Sequence, residues 1–286
     1  MSDSPRADRT VWRGLACTRL HLPNGDSAVV SDFGAQVLSW EAQGRERLFL
    51  SPRAVMDGSA PIRGGIPVCF PQFNQRGPLP KHGVVRRASW EYAGAEVDNQ
   101  SITARWRWDA AQPLHPDFPH GLRAELRVQL APAGLQVQLH ATNTGNTALA
   151  FTGALHSYLA VHDAAAAQLH GLDGLALWDA ARGFAPAVQS GSVALGEEVD
   201  RVYARAAAPL RLQDTQDALD IGQDAAWPET VVWNPGPALC AQLQDMEPDS
   251  WRQMLCVEAA LINQPQVLLP GASWQASQHL RVLPSA

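Results

Sequence analysis

Glu258 is the residue whose surroundings most strongly suggest chemistry. It lies in the segment MLCVEAALI, with apolar residues on both sides. Carboxylates are rarely fully buried without a partner, so a glutamate in such a segment requires an explanation. One explanation is that Glu258 forms a structural ion pair or lies at an exposed position. A general base, partly desolvated so that its pKa rises toward neutral, would be another.

Two histidines could supply the proton donor that such a base requires. His156 lies in FTGALHSYLAVHD, where strand periodicity would place His156, Tyr158 and His162 on one face. His156 could therefore be an acid held in a cleft or a hydrogen-bonded residue at the edge of the core. His82, in KHGVVRR, could be a surface residue or a substrate contact. No HxH or HExxH spacing accompanies these histidines, so we predict no metal site and no cofactor.

The segment from Arg63 to Arg87 combines cations with glycine and proline. It contains four arginines, one lysine and one histidine but no Asp or Glu, although the whole chain has a formal net charge of −6. Guanidinium groups bind phosphate or carboxylate through charge-assisted, often bidentate hydrogen bonds. Arg63 and Arg86 could therefore hold a small anion. A surface loop with solvated cations would have the same composition.

Asp200 and Arg201 are adjacent in EEVDRVY, at the start of a predicted strand. Adjacent residues of a strand point to opposite faces, so only one of the two can face a given cleft. Both a solvated strand end and a ligand-binding carboxylate are compatible with this position.

Strand patterns over most of the length must position these residues. SITARWRW places Ile102, Ala104 and Trp106 on one face, and ELRVQLAPAGLQVQLHATNTG predicts a hairpin that turns at APAG. Turn signals recur at short intervals, and helical periodicity is limited to short segments such as MEPDSWRQML. We therefore predict one all-β domain over residues 1–286, a large antiparallel β-sandwich with a few short helices. Residues 1–12 would form a flexible N-terminal extension.

Composition narrows the class of protein. A net charge of −6 argues against nucleic acid or an anionic membrane as a partner. The chain has no apolar run of about 18 residues, so we expect no membrane span, and its polar N-terminus leads us to expect no secretory signal. Four scattered cysteines without a CxxC pair favour reduced thiols. We expect a cytoplasmic monomer that binds a small molecule.

The candidate segments also occur in a familiar order. IRGGIPVCFPQF, HGVVR, ALHSYLAVHD, EVDRVY, VVWNP and MLCVEAALI resemble successive motifs of the glucose-6-phosphate 1-epimerases, the hexose-6-phosphate mutarotases of the aldose 1-epimerase superfamily. The resemblance spans about residues 20 to 280. It implies the galactose mutarotase-like supersandwich fold. It also implies that the protein interconverts the α and β anomers of an aldohexose 6-phosphate, most simply glucose 6-phosphate, by opening and reclosing the ring.

The resemblance assigns roles by position. Glu258 would be the general base and His156 the general acid, on opposite sides of the reacting bond. His82 would contact the substrate near its ring oxygen, and Asp200 would bind sugar hydroxyls. Neither a metal nor a nucleotide would be required.

The same resemblance assigns the phosphorylated hexose to the basic segment. Arg63 and Arg86 would bind its phosphate, and Gly64 and Gly65 would let the backbone come close to that group. The cation-rich, acid-free composition of the segment would then have a function.

Two other functions fit these residues. A β-sandwich glycoside hydrolase would pair Glu258 with Asp200, its two carboxylates about 5–5.5 Å or 6.5–9.5 Å apart. A non-catalytic carbohydrate-binding module is the second, because sandwich folds host many binding functions.

Overall fold

The structure, a computed structural model, describes residues 4–110, 112–215 and 217–283. Within these ranges the chain forms twenty-one strands, one short helix and three 3-10 turns. The strands are β1 (Arg6–Trp12), β2 (Leu15–His21), β3 (Ser27–Ser31), β4 (Val37–Ala42), β5 (Arg45–Glu46), β6 (Val68–Cys69), β7 (Glu91–Val97), β8 (Ile102–Asp109), β9 (Leu122–Ala131), β10 (Gly134–Asn143), β11 (Leu149–Leu155), β12 (Tyr158–Ala160), β13 (Gln168–His170), β14 (Ala176–Asp179), β15 (Ala185–Val188), β16 (Val199–Ala204), β17 (Leu210–Gln213), β18 (Ala218–Gln223), β19 (Glu229–Asn234), β20 (Met254–Leu268) and β21 (Ser273–Val282). The helix α1 spans Gly236–Cys240, and the 3-10 turns span Val85–Arg87, Ala180–Arg182 and Ser250–Gln253.

These strands form three sheets in which every pair of named strands is antiparallel. The first sheet contains β1 to β5 in sequence order. The second, which we call the support sheet, has the order β13-β17-β18-β21-β10-β9-β8-β7. The third, the site sheet, has the order β15-β14-β16-β19-β20-β11-β6, and β12 also pairs with β20. The predicted all-β antiparallel sandwich is confirmed.

The main core lies between the support sheet and the site sheet. β9 and β10 form the predicted hairpin, with Leu130 opposite Leu135, and every second residue of both strands is buried. Leu255, Val257 and Ala259 of β20 belong to the same buried cluster. Because each fully buried aliphatic side chain contributes roughly 1.5–3 kcal/mol, this shared cluster holds the two sheets together.

The site sheet is also covered on its other face. In β20, Cys256 and Glu258 alternate with the core residues, yet both are buried. Cys256 belongs to a second apolar cluster with Tyr158 and Trp251. A strand that is buried on both faces needs no alternation of polar and apolar residues, which explains the continuous apolar pattern around Glu258.

The N-terminal segment corrects one prediction. Residues Arg6–Trp12 are not part of a flexible extension, because β1 pairs with β2 along its whole length. Arg9 also donates hydrogen bonds to Thr18 and Asp32, and each of them is 2.8 Å long. The segment looks polar because β1 is an edge strand whose side chains are all exposed or only partly buried. Residues 1–3 of the predicted extension lie outside the described residues.

Two further features bear on the composition arguments. No helix within the described ranges has the length and apolar character needed to span a membrane. The four cysteines are free thiols, and all are buried.

Candidate active site

Three neighbouring strands of the site sheet present residues to one cavity. The register pairs Asp200 of β16 with Trp233 of β19, and Val231 of β19 with Glu258 of β20. Residues paired across antiparallel strands share a face of the sheet, and so do residues two apart on one strand. Asp200 and Glu258 therefore lie on the same face, two strands apart.

The cavity on this face has a volume of about 320 Å³. Five of the six predicted site residues line it, namely Arg63, His82, His156, Asp200 and Glu258. The sixth, Arg86, lines a second cavity of about 280 Å³. Both cavities have Arg63, Lys81, His82 and His156 in their walls, so they adjoin. Segments nearly 200 positions apart in the sequence thus meet at one site. We call the cavity of about 320 Å³ the catalytic cavity and the cavity of about 280 Å³ the anion cavity.

His156 and Glu258 are in direct contact. The His156 Nε2 atom lies 3.3 Å from Glu258 Oε1. The remaining polar atoms, His156 Nδ1 and Glu258 Oε2, are buried without a hydrogen-bond partner. The expectation that the two groups lie on opposite sides of a reacting bond is wrong, because no bond fits between atoms this close. They lie side by side in the wall of the catalytic cavity.

Burial moves the pKa values of this pair in opposite directions. It raises the pKa of Glu258 well above its usual range, and the nearby Asp200 carboxylate adds to the effect. It lowers the pKa of His156 well below its usual range, helped by His82, Arg63 and Arg86. A carboxylate with a raised pKa is a stronger base. An imidazolium with a lowered pKa is a stronger acid, but it is the minor form of the ring at any pH above that pKa.

Aromatic side chains fix the imidazole of His156. The Tyr158 ring stacks on it with a centroid distance of 4.8 Å and an interplanar angle of 10°. Trp233 contacts it edge-on at 6.1 Å. The Tyr158 hydroxyl accepts a hydrogen bond of 3.0 Å from Nη1 of Arg63. Tyr158 thus connects His156 to the basic segment.

His82 is a second imidazole in both cavity walls, but it is held differently. Its Nδ1 accepts a hydrogen bond of 3.3 Å from the backbone N–H of Asn74. The neutral ring therefore carries its proton on Nε2. Burial, with Arg86 and Lys81 nearby, lowers the pKa of His82 to about 3. His82 is a neutral hydrogen-bond donor over the physiological pH range.

Three cations surround the anion cavity. Arg63, Lys81 and Arg86 line it together with one acid, Asp245. Nε of Arg63 donates a hydrogen bond of 3.0 Å to Asp245, and Nη2 of Arg86 donates one of 2.6 Å to the Lys81 carbonyl oxygen. Nε of Arg86 is buried without a partner. The cavity therefore combines an excess of positive charge with an unused donor, which suits a small anion.

The packing of the chain itself requires the two glycines of the basic segment. A Cβ atom at Gly64 would lie 2.4 Å from the Phe49 carbonyl oxygen, and one at Gly65 would lie 2.1 Å from that of Val37. Both residues also have positive φ angles, +115° and +61°. The glycines allow the segment to pack closely against the backbone of its own chain.

Asp200 faces the catalytic cavity and Arg201 does not, as the strand periodicity requires. Arg201 donates a hydrogen bond of 3.2 Å to Asp179 instead. Burial and the nearby Glu198 raise the pKa of Asp200 to about 6. A carboxylate at the wall of a polar cavity can accept hydrogen bonds from hydroxyl groups.

His162 does not join this site. It lines a separate cavity with Trp12 and Leu48, because the chain bends after β12 and the period-two pattern from His156 ends there. The site instead contains residues that the sequence did not single out, among them Lys81, Trp233 and Asp245. Lys81 belongs to the acid-free segment and could have been included. Asp245 has no such signal, because it meets Arg63 only in the folded chain.

Comparisons with known proteins find related sequences over nearly the whole chain. The family model for aldose 1-epimerase matches residues 17–281. A protein of Cenchrus ciliaris, provisionally named glucose-6-phosphate 1-epimerase, is 32% identical over 293 residues, covering 98% of this chain and 86% of the relative. An Escherichia coli K12 protein with the same provisional name is 29% identical, covering 87% and 84%.

Solved structures extend the similarity to the fold. The structure of a Salmonella typhimurium protein, described provisionally as a mutarotase, aligns with a TM-score of 0.84 and 25% identity, covering 97% of this chain and 96% of that one. A galactose mutarotase-like protein from Clostridium acetobutylicum aligns with a TM-score of 0.78 at 14% identity, covering 99% and 100%. The second similarity concerns the fold alone.

Proposed function

Because the chain belongs to the aldose 1-epimerase family, we propose that it interconverts the α and β anomers of an aldohexose 6-phosphate. Glucose 6-phosphate is the expected substrate. The observation that carries this proposal is the anion cavity with its three cations, which adjoins the cavity that contains Glu258 and His156. The provisional names of the relatives from Cenchrus ciliaris and Escherichia coli support the same substrate.

Anomer exchange requires two proton transfers. A base takes the proton of the C1 hydroxyl while an acid protonates the ring oxygen, and the ring opens to the aldehyde. Both oxygens are bonded to C1, so two adjacent protein groups on one side can reach both. Glu258 acts as the base and His156 as the acid, and such assistance typically contributes 10² to 10⁴-fold. Rotation about the C1–C2 bond followed by the reverse transfers yields the other anomer.

The other site residues bind the sugar. His82 donates a hydrogen bond from Nε2 toward the ring oxygen, and Asp200 accepts hydrogen bonds from sugar hydroxyls. Arg63 and Arg86, joined by Lys81, bind the phosphate in the anion cavity. Because the phosphate is remote from C1, its binding energy positions the substrate and leaves the reacting carbon free to rotate.

The direct test is NMR exchange spectroscopy on an equilibrium mixture of glucose 6-phosphate anomers with catalytic amounts of protein. We expect exchange between the anomeric signals to exceed that in buffer alone and to fall by at least 100-fold in Glu258→Gln. An exchange rate equal to that of buffer would refute the proposal.

The anion cavity is tested by comparing phosphorylated and free glucose. We expect Arg63→Ala and Arg86→Ala to raise KM for glucose 6-phosphate at least tenfold, since a charge-assisted hydrogen bond contributes about 1.5–3 kcal/mol, and to change KM for glucose much less. Arg87→Ala is the matched control, because Arg87 is exposed and binds the Ser59 carbonyl oxygen. Equal effects on both substrates would exclude a phosphate-binding role.

The same variants separate the alternatives. A carbohydrate-binding module would keep its affinity for sugar in Glu258→Gln and would have no activity to lose. A glycoside hydrolase would cleave aryl glycosides with Glu258 and Asp200 as its two carboxylates, whereas we expect no such cleavage. We also propose that the protein acts as a cytoplasmic monomer.

A further inference from the structure

Cys256 lies beside the catalytic pair, and the proton transfers do not use it. The Cys256 Sγ atom, one nitrogen of His156 and one carboxylate oxygen of Glu258 all lie within 4.8 Å of one another. Cys256 and Glu258 are two residues apart on β20, so their side chains leave the sheet on the same face. His156 reaches them from the turn between β11 and β12.

The spacing of these atoms suits a metal ion. For any three atoms that are at most 4.8 Å apart, there is a point that lies within about 2.8 Å of all of them. Zinc binds nitrogen and oxygen at about 2.0–2.2 Å and thiolate sulfur at about 2.3 Å, so each atom would move by less than about 1 Å. The 3.3 Å between His156 Nε2 and Glu258 Oε1 already equals the separation of two ligands in a tetrahedron with bonds of about 2.0 Å.

Two of the three side chains have unused binding capacity. His156 Nδ1 and Glu258 Oε2 are buried and have no hydrogen-bond partner, and both residues line the catalytic cavity. An ion would approach from that cavity, which Cys256 itself does not line, and its fourth coordination position would face the cavity and take water. Three protein ligands with one open position are typical of zinc sites that are not purely structural.

We propose that His156, Cys256 and Glu258 form a binding site for a thiophilic divalent cation, with Zn²⁺ as the best match, and that occupancy inhibits the enzyme. The imidazole, thiolate and carboxylate donors select Zn²⁺ over Mg²⁺ and Ca²⁺, which prefer oxygen ligands. A bound ion occupies the Glu258 lone pair that would accept a proton and the His156 nitrogen that would carry one. The thiol must lose its proton, so binding releases protons and strengthens as pH rises.

Direct metal binding is the first test, and it needs no substrate. We expect wild-type protein to take up one Zn²⁺ in competition with a chromophoric chelator, and Cys256→Ser to bind it at least 30-fold more weakly. Cys69→Ser is the matched control, because Cys69 is also buried on the site sheet but lies outside the three-residue group. Co²⁺ added to wild type should produce a thiolate-to-cobalt charge-transfer band that Cys256→Ser lacks.

Inhibition is the second test, and this part rests on the proposed function. We expect Zn²⁺ to inhibit anomer exchange, a chelator to reverse it, and Mg²⁺ to have no effect. In Cys256→Ser the same inhibition should require at least 30-fold more Zn²⁺.

Several results would overturn the site. One is the absence of stoichiometric Zn²⁺ binding by wild type, and another is equal binding by wild type and Cys256→Ser. If Cys256→Ser does not fold, a Co²⁺ complex of wild type without a thiolate band would also exclude the site. A protein that binds Zn²⁺ through Cys256 but lacks mutarotase activity would refute the proposed function and leave the metal site intact.

Discussion

Tyr158 links the catalytic cavity to the anion cavity, because its ring and its hydroxyl contact different residues. Its ring stacks on His156, and its hydroxyl accepts a hydrogen bond from Arg63. Arg63 in turn uses Nε to bind Asp245, so Tyr158 and Asp245 together fix the guanidinium plane. Since a planar guanidinium recognises phosphate through its orientation, we assign Tyr158 as a positioning residue.

Tyr158→Phe separates the two contacts. The ring stack remains, and only the hydroxyl that orients Arg63 is lost. We expect KM for glucose 6-phosphate to rise about 5- to 20-fold, because the lost hydrogen bond involves a charged group, while kcat changes less than twofold. Steady-state kinetics with phosphorylated and free glucose provide the measurement.

The control for this change is Tyr203→Phe, which removes a buried hydroxyl that donates to Gln189. It should leave both KM values unchanged. A fall in kcat in Tyr158→Phe with no change in KM would contradict the positioning role.

Asp200→Asn tests how much the ionised carboxylate at the cavity wall destabilises the folded protein. The folded-state pKa of Asp200 is about 6, above the ordinary value of 3.8, so its ionisation opposes folding. This penalty is fully present above pH 6 and disappears as pH falls toward 3.8. We expect Asp200→Asn to raise Tm at pH 7.5 by about 2–4 °C.

The gain in Tm should shrink toward zero near pH 4, which thermal unfolding at both pH values measures. The same variant should bind the sugar more weakly at pH 7.5, because an amide accepts fewer hydrogen bonds from hydroxyl groups than a carboxylate does. A gain in Tm that is independent of pH would show that ionisation of Asp200 is not its cause.

At the scale of elements, the basic segment depends on backbone conformations that only glycine adopts easily. Gly65→Ala would place a Cβ atom 2.1 Å from the Val37 carbonyl oxygen in a backbone with a φ of +61°. We expect a loss of about 3 kcal/mol in the free energy of unfolding, measured by urea denaturation.

Gly14→Ala is the matched control for that loss. Gly14 also has a positive φ, +86°, but a Cβ atom there would meet nothing within 4 Å. Gly14→Ala should therefore lower the free energy of unfolding by only about 1–2 kcal/mol, which is the cost of a positive φ for a residue with a Cβ atom. Equal losses in the two variants would mean that the close approach at Gly65 relaxes without cost.

The elements also show what the sequence could predict. The β9–β10 hairpin follows from local alternation and a short turn, and both are visible in the residue pattern. The predicted short helix in MEPDSWRQML is only a 3-10 turn at Ser250–Gln253, and the helix α1 was not predicted. Short helices have weak periodicity, and tertiary packing decides their type.

The candidate site residues could be identified from motifs, but their arrangement could not. The contact of His156 with Glu258 depends on the pairing of β11 and β12 with β20, which is a long-range event. The same holds for the hydrogen bond from Arg63 to Asp245, whose sequence separation is 182 positions. No local pattern records which distant strands become neighbours or in which register they pair.

At the scale of the whole molecule, an ion cluster joins the first sheet to the support sheet. Arg47, beside β5, pairs with Asp217. Arg45 pairs with Asp214 at a distance of 2.6 Å and with Asp217 at 3.3 Å. Asp214 also accepts a hydrogen bond from the backbone of His162. The Arg47 side chain is only 7% exposed, so its charge requires this partner.

Asp217→Ala should therefore destabilise the protein by about 3–5 kcal/mol, because it leaves a buried guanidinium uncompensated. Asp220→Ala is the comparison, since Asp220 pairs with Arg211 at the surface and its loss should cost less than about 1 kcal/mol. Urea denaturation of both variants measures the difference. Similar losses would mean that the cluster does not help to hold the two sheets together.

The anion cavity adjoins the catalytic cavity without coinciding with it, and this has a practical consequence for measuring the enzyme. Inorganic phosphate has the charge and size to enter the anion cavity alone and would compete with any hexose phosphate for the arginines. Phosphate-buffered assays would therefore report a weaker apparent affinity than assays in an uncharged buffer. In the cell, the pool of free phosphate would set how much of the protein is available for sugar.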